Sequence, residues 1–572
     1  MDNLLGRILF MLESSNKIHM IWCGAVMLTM IVLAVLHHRW WEYDSKLRIW
    51  RKLCLIPFLI TTVHYFIYVS GAPEFLNNYA PMYLIAIIAF VPMLCADMEK
   101  GYRIFAPVTA VMTALFGIVF FTSSNDIHNY TRKSYTKSFH AMVKELDRRY
   151  VLKEWKELDF SVLEEKYMPI VREAEEKDDP SLFSDAVFMF CNELHDGHVE
   201  VYVDYDDKKY HSAFELNDYG LSMVQLDSGE VIAVCTEKEI NSFGIEDGTI
   251  ITKWNGKPVL QAAEELVENE GLSVKANAER LAMFELSATG GETVEVTFID
   301  KSGNERTAVL SARADEHTYD EAVNAFVHRP VNRRDILTSN FSTKMLNDEC
   351  GYLRLSAETT GGSISDIMSF YRGECRSARK MFKRKLRRLK EQGMEYLVVD
   401  LRNNQGGYDE IGCALCELFT GEEIYAQGVG LRKDGKYIRT AFHNIRGDGE
   451  FSNIKVVALT NMYCVSAGDV TAYLLSKLPN VTLAGITDPN GSGQMTGGCC
   501  VLSEGIVSVS YPVGLTINED GEPSIDTRSD MVSRNPVEVR IPFDYDAAMA
   551  IFCDNKDYEL DWAVSFLENS DK

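Results

Sequence analysis

Two short segments bring together residue types that can do chemistry. The first reads Val398-Val-Asp400-Leu-Arg402-Asn-Asn-Gln-Gly406-Gly407, the second Asn461-Met-Tyr-Cys-Val-Ser466-Ala467-Gly468-Asp469. Each follows a run that reads as a buried strand (395–401 and 455–460) and precedes a run at helical spacing (409–419 and 467–478). A turn from strand into helix offers unpaired amides and positive potential, which suits a charge that becomes negative during a reaction. Paired glycines let backbone amides face a ligand without side-chain obstruction. Ser466 therefore reads as a nucleophile, a role that needs a base because a serine hydroxyl is weak by itself. On local pattern alone, a plain helix N-cap is the favoured reading. A third segment, Leu194-His-Asp-Gly-His198-Val-Glu-Val-Tyr202, switches from helical to alternating pattern and sets His198 on a turn. Neutral imidazole is the usual base near pH 7, and a structural histidine is the other reading.

The elements that must position these groups follow from periodicity. Residues 123–204 read as a helical unit, with apolar residues at helical spacing over 139–150 and 183–194 and a break at Asp179-Pro180. Residues 212–312 read as a small β-rich module, with strands at 220–224, 230–234 and 292–298 and turns at Gly248, Asn255-Gly256 and Lys301-Ser-Gly303. From about 346 to 568 strands and helices alternate, which argues for an α/β domain. The helix 376–390 carries Met381, Phe382, Leu386 and Leu389 on one stripe; its many Lys and Arg read as a solvated face, with a membrane-surface contact as the alternative. Cys413 and Cys416 read as neighbours on a helical core face and Cys464 as a packed thiol.

The first fifth of the chain is different. Four apolar stretches, 20–36, 53–69, 79–96 and 104–122, are each close to the ~20 residues that cross a hydrocarbon core. The connection after the first carries Arg39, Lys46, Arg48, Arg51 and Lys52, and the third carries Lys100 and Arg103. The second connection has no Lys or Arg, so the two basic loops are expected in the cytoplasm and everything after residue 122 outside. Residues 1–122 thus read as a four-helix transmembrane anchor in a multi-pass cell-membrane protein. His64, inside a spanning stretch, reads as facing the bundle. The 572 residues carry a net charge of −25, which argues against nucleic-acid binding. The 13 cysteines form neither a disulfide framework nor a zinc-type spacing.

Together these segments resemble the carboxyl-terminal processing (tail-specific) serine protease family in its tricorn-like branch. The similarity rests on "Leu-x-Asp-Gly-His", "Asp-Leu-Arg-x-Asn-x-Gly-Gly", "Ser-Ala-Gly-Asp", the downstream Gly485-Ile-Thr487 and the closing helix 557–568. The β module resembles a PDZ domain through Gly248-Thr-Ile and Asn255-Gly-Lys-Pro-Val259. The implied fold is a crotonase-like α/β core (346–568) with a helical cap (123–204), a PDZ-like β module (212–312) and the four transmembrane helices. The resemblance makes Ser466 the nucleophile, with the amides of Gly406 or Gly407 and of Ala467 as oxyanion hole. One branch of the family takes a lysine about 25 positions after the serine as base; Gly491 stands there and no lysine lies between Lys477 and Lys556. The tricorn-like branch uses a histidine, which matches His198. Its glutamate partner falls on Glu519 or Glu522, and Asp469 replaces a glutamate often seen three positions after the serine. The PDZ-like binding loop falls on Tyr219-Gly220-Leu221. The implied activity is acyl transfer on extracytoplasmic polypeptides, presented by their C-termini, without metal or cofactor. A non-catalytic peptide sensor on the same scaffold is the rival, and an esterase is a third reading.

Overall fold

Runs such as Tyr396-Leu-Val-Val-Asp400 and Lys455-Val-Val-Ala-Leu459 are apolar on both faces, which suits parallel strands covered by helices. In the computed structural model they lie side by side in a six-stranded sheet. Its strand order is Val539–Arg540, Val481–Gly485, Lys455–Leu459, Tyr396–Asp400, Cys350–Leu355, Phe341–Met345. All pairs are parallel except the last. The structure describes residues 2–14, 17–40, 42–53, 55–68, 126–203, 217–270, 283–313, 317–327, 340–525 and 536–569.

A second six-stranded sheet is built from Asp126–Asn129, Gln494–Val501, Val507–Ile517, Glu423–Lys433 and Lys436–Arg446, with Glu200–Val203 also paired to Val507–Ile517. The helices Tyr135–Arg149, Phe160–Lys177 and Pro180–Asn192 pack on it. Phe139, Met142, Val143 and Leu146 are buried at helical spacing, and each of these residues contributes about 1.5–3 kcal/mol by leaving water. The break at Asp179-Pro180 is a helix start. The Asp179 carboxylate accepts from the Ser181 and Leu182 amides at 3.0 and 3.1 Å, and Pro180 fills the first turn, where no amide partner is needed. One strand precedes these helices where a wholly helical unit was expected. Asp126–Asn129 runs parallel to Gln494–Val501, a long-range pairing that four residues cannot announce by periodicity.

Residues 217–311 hold a β module with its own core of Tyr219, Leu221, Met223, Trp254, Val296 and Phe298. The hairpin Ser222–Gln225 with Val231–Val234 and the strand Thr293–Ile299 fall where the alternation put them, Ile251–Trp254 lies between the expected turns, and Glu305–Ser311 pairs with Thr293–Ile299 across the turn at Lys301-Ser-Gly303. Asn255 and Gly256, both at positive φ (51° and 77°), make the two-residue turn into Lys257–Pro258. The basic helix Arg376–Glu391 buries Phe382, Leu386 and Leu389 in the α/β core. Its cations Lys383 and Arg387 pair with Asp448 and Glu450, so that part of its charged face is tied to the domain. Cys413, Cys416 and Cys464 are buried thiols, as expected.

Among the described residues one helix, Met20–Trp40, is long and apolar enough to cross a membrane, by length and composition. The second stretch is described as the helix Leu55–Tyr68. His64 on it is buried and stacks on Trp22 with centroids 3.9 Å apart. The stretches 79–96 and 104–122 lie outside the described residues. The helix Asp2–Ser14, which precedes the apolar one, packs on Glu423–Lys433 and Lys436–Arg446 of the second sheet.

Candidate active site

The two segments singled out in the sequence leave the C-terminal ends of neighbouring parallel strands, Tyr396–Asp400 and Lys455–Leu459, with Asp400 opposite Leu459. Loops at that end of an open parallel sheet converge on a crevice. Here the glycine loop and the serine turn are joined directly: the Val465 amide donates to the Asn404 carbonyl at 2.9 Å.

Ser466 caps the helix Ala467–Ser476 with φ 57° and ψ −126°, a conformation that costs a non-glycine residue about 1–3 kcal/mol and must be held by its surroundings. Three bonds hold it: Val470 N–H to the Ser466 carbonyl (3.1 Å), Gly468 N–H to the Val465 carbonyl (2.9 Å), and Ser466 N–H to Ser492 Oγ (3.2 Å). Ser492 is placed in turn by Asp469, whose buried carboxylate accepts from the Gly491 and Ser492 amides at 2.5 and 2.7 Å.

On the opposite wall, the Gly406 amide is engaged by Asn404 Oδ1 at 2.8 Å. The amides of Gly407 and Ala467 donate to no protein acceptor among the described residues, and both residues line one cavity with Ser466. Of the expected oxyanion donors, Gly407 and Ala467 therefore have free N–H groups. Gly407 has φ 145° and lies against the Glu358 backbone: Glu358 N–H donates to the Gly406 carbonyl (2.8 Å) and Tyr408 N–H to the Glu358 carbonyl (3.0 Å). A side chain at Gly407 would overlap the Glu358 carbonyl. The Glu358 carboxyl accepts from Asn404 Nδ2 (2.9 Å) and Thr471 Oγ1 (3.1 Å), and its complete burial pushes its pKa up to about 8. A neutral acid thus braces the glycine loop at pH 7.

Arg402, in the same motif, holds the fold rather than the cavity. Its guanidinium is 4% exposed and bonds Asp400, Asp557 and Glu559, clamping the closing helix Tyr558–Asn569 to the strand ends.

His198 comes from the other sheet. It lies on the turn before Glu200–Val203, and its amide donates to Asp196 Oδ1 at 2.8 Å. The second Asp196 oxygen accepts from the Tyr150 hydroxyl at 2.7 Å. Burial lowers the His198 pKa below the ordinary histidine value, against the pull of Asp196, Gln494 and Glu200, so the ring is neutral at pH 7. Gly197 packs against the Asn490 side chain, and Gln494, beside the imidazole, lines the cavity of Ser466. His198 thus stands behind the cavity wall, and among the described residues no hydrogen bond joins it to Ser466.

Glu519 stands elsewhere, in the exposed turn after Val507–Ile517, where Arg439 donates to the carbonyls of Asn518 (2.6 Å) and Glu519 (3.0 Å). Glu522 closes the same turn, its amide on Asn518 Oδ1 at 2.9 Å. No bond or ion pair links either to His198 among the described residues. Asp196 is the buried carboxylate at the histidine, and Asp-Gly-His carries its signal: an aspartate two residues ahead accepting the backbone amide, as in an Asx turn. In the β module, Tyr219 and Leu221 are buried in the core and the Gly220 amide donates to Asp218 Oδ1 at 2.6 Å, so this loop is closed on itself.

The cavity measures about 310 Å³. Ser466, Ala467, Gly407 and Gln494 line it together with Phe370, Tyr371, Asp409, Glu410 and His443. Phe10 and Met11 of the N-terminal helix complete it, a contribution with no signal in local sequence. Among the described residues no group of three or more His, Cys, Asp or Glu is arranged to hold a metal ion.

Residues 349–528 match Peptidase family S41. No curated protein matches the chain. Among solved structures, mature CPAF is similar at 15% identity, covering 77% of this chain and 98% of that one with a TM-score of 0.51, a likeness of fold alone. The photosystem II D1 C-terminal processing protease aligns at 18% identity over 74% of this chain and 98% of its own, TM-score 0.32. The tricorn protease aligns at 17% identity over 77% of this chain and 37% of its own, TM-score 0.34. The strand–turn–helix pair around Ser466 lies within residues 349–528, the segment that matches Peptidase family S41, and is carried within a mixed α/β fold.

Proposed function

We propose that the protein is a membrane-anchored serine endopeptidase acting on polypeptides outside the cytoplasm. One observation carries the reading: Ser466, in a forced conformation at a helix start, shares a cavity with the unengaged amides of Gly407 and Ala467. In this mechanism Ser466 Oγ attacks a peptide carbonyl while a base takes its proton, and the two amides stabilise the tetrahedral oxyanion. Protonation of the leaving amine releases the first product, and water hydrolyses the acyl-enzyme. His198 is the base in this proposal, moving into reach when substrate binds, with Asp196 as its carboxylate partner; hydrogen bonds of resting sites often tighten only in the complex. The helix Asp2–Ser14 supports the anchored topology. It precedes the apolar helix and packs on the second sheet, an arrangement that an even number of membrane crossings between it and the site accommodates.

The missing Ser466–His198 hydrogen bond favours a second reading, a peptide-binding protein on a protease scaffold. Labelling with a fluorophosphonate probe separates them. The peptidase reading expects Ser466 to be modified in the wild type, with labelling abolished in Ser466→Ala and strongly slowed in His198→Ala. A wild type that stays unlabelled, with and without peptides, leaves the binding reading.

A further inference from the structure

Arg7 is a fully buried cation bonded to Glu410 and His443, two residues that line the Ser466 cavity. Both terminal nitrogens of its guanidinium are used. Nη1 bonds the Glu410 carboxylate and donates to the Phe370 carbonyl at 2.6 Å. Nη2 meets His443 Nδ1 at 3.2 Å and the Phe442 carbonyl at 3.4 Å. The Phe370 ring lies 5.1 Å from the guanidinium carbon. A planar fork with four acceptors and an aromatic wall matches arginine and not a compact ammonium. His443 is held neutral by burial and by Arg7 itself, so its Nδ1 can accept, and Nε2 has no hydrogen-bond partner.

The cradle belongs to the protease domain and the cation does not. Glu410 lies in the first turn of Asp409–Cys416, directly after the glycine loop, and Phe370, Phe442 and His443 come from neighbouring elements of the core. The helix that brings Arg7 also sets Phe10 and Met11 into the cavity. It approaches so closely that a side chain at Gly6 would overlap the Thr440 carbonyl. Without this helix Glu410 would be a buried carboxylate beside the nucleophile with no cation, which is costly unless another takes its place.

We propose that Glu410, His443 and the Phe370 and Phe442 carbonyls form a substrate subsite for an arginine side chain, and that Arg7 fills it in the resting chain. The N-terminal helix then acts as an internal competitor, and a substrate with arginine near its scissile bond displaces it. This rests on the peptidase reading of Ser466 for its consequence, though not for the binding itself.

The test uses the full chain with agmatine as guanidinium probe. In Arg7→Ala, millimolar agmatine is expected to raise the melting temperature; it should leave the wild type and Arg7→Ala/Glu410→Gln unmoved. Fluorophosphonate labelling of Arg7→Ala is expected to be about tenfold faster than that of the wild type, because the competent state no longer waits for the helix to leave. Agmatine should slow that labelling. Arg7→Gln, which keeps a donor for the Phe370 carbonyl, replaces Arg7→Ala if the latter does not fold. Equal agmatine responses in the single variant and the wild type overturn the subsite. A melting shift in chains that are never labelled leaves the guanidinium site standing and removes the peptidase.

Discussion

Gly406 faces Ser466 so closely that a Cβ on the glycine would overlap the serine Cβ and crowd the Val465 carbonyl and Ala467 amide. With φ at 76°, the position is also one that side-chain-bearing residues rarely adopt. Gly406→Ala is therefore expected to spread the glycine loop from the serine turn. Probe labelling should fall by about 10²-fold or more, the scale of losing an oxyanion donor, while far-UV dichroism stays unchanged. Near-wild-type labelling would show that the two walls can separate without loss.

Asp469 tests the other side of the turn. Its carboxylate accepts two amides, and one of them belongs to Ser492, which holds the Ser466 amide. Asp469→Ala removes the acceptor of both N–H groups. Denaturant titration should register a loss of about 1–3 kcal/mol, the cost of unsatisfied buried groups. Labelling should drop by more than stability alone explains.

The pH profile follows from His198. Burial depresses its pKa, so the ring stays neutral to below the ordinary histidine value. If His198 is the base, the acid limb of the labelling rate lies below pH 6.5, the unperturbed value. The sign for stability is the same: the unfolded chain binds this proton more readily, so stability falls as pH drops through about 6.5 and below. An acid limb above that value would exclude His198 as described.

Glu358 predicts the opposite trend at alkaline pH. Its pKa rises on folding from 4.5 to about 8, so between those values the folded state binds more protons and stability declines as pH rises. Glu358→Gln keeps an acceptor for Asn404 and Thr471 and removes the titration. Its melting temperature should fall less than that of the wild type between pH 6 and 9. Identical slopes would mean that the carboxyl is ionised throughout.

Much of this centre could be read from sequence because its parts are local. Strand–turn–helix units announce themselves through an apolar run, a glycine or serine turn and a helical period. The glycine loop, Ser466, the capped start at Asp179 and the hairpins of the β module follow from such runs. The unread parts depend on distant pairing. Asp126–Asn129 is a strand because Gln494–Val501 offers an edge, and Arg7 meets Glu410 across 403 positions. Glu519 failed to reach His198 for a related reason. Counting residues from the serine cannot say which way the turn after Val507–Ile517 faces, whereas Asp196 lay two residues from the histidine throughout.

The two sheets divide the chemistry unequally. Ser466 and the glycine loop, the proposed nucleophile and oxyanion donors, ride on adjacent strands of one sheet, locked together at Asn404 and Val465, while His198 rides on an edge of the other. A shift in the spacing of the sheets therefore changes one length, from serine to histidine, and leaves the anion-binding geometry untouched. Substrate could be held and polarised at full strength while proton transfer waits, which separates occupancy from turnover along a single mechanical coordinate.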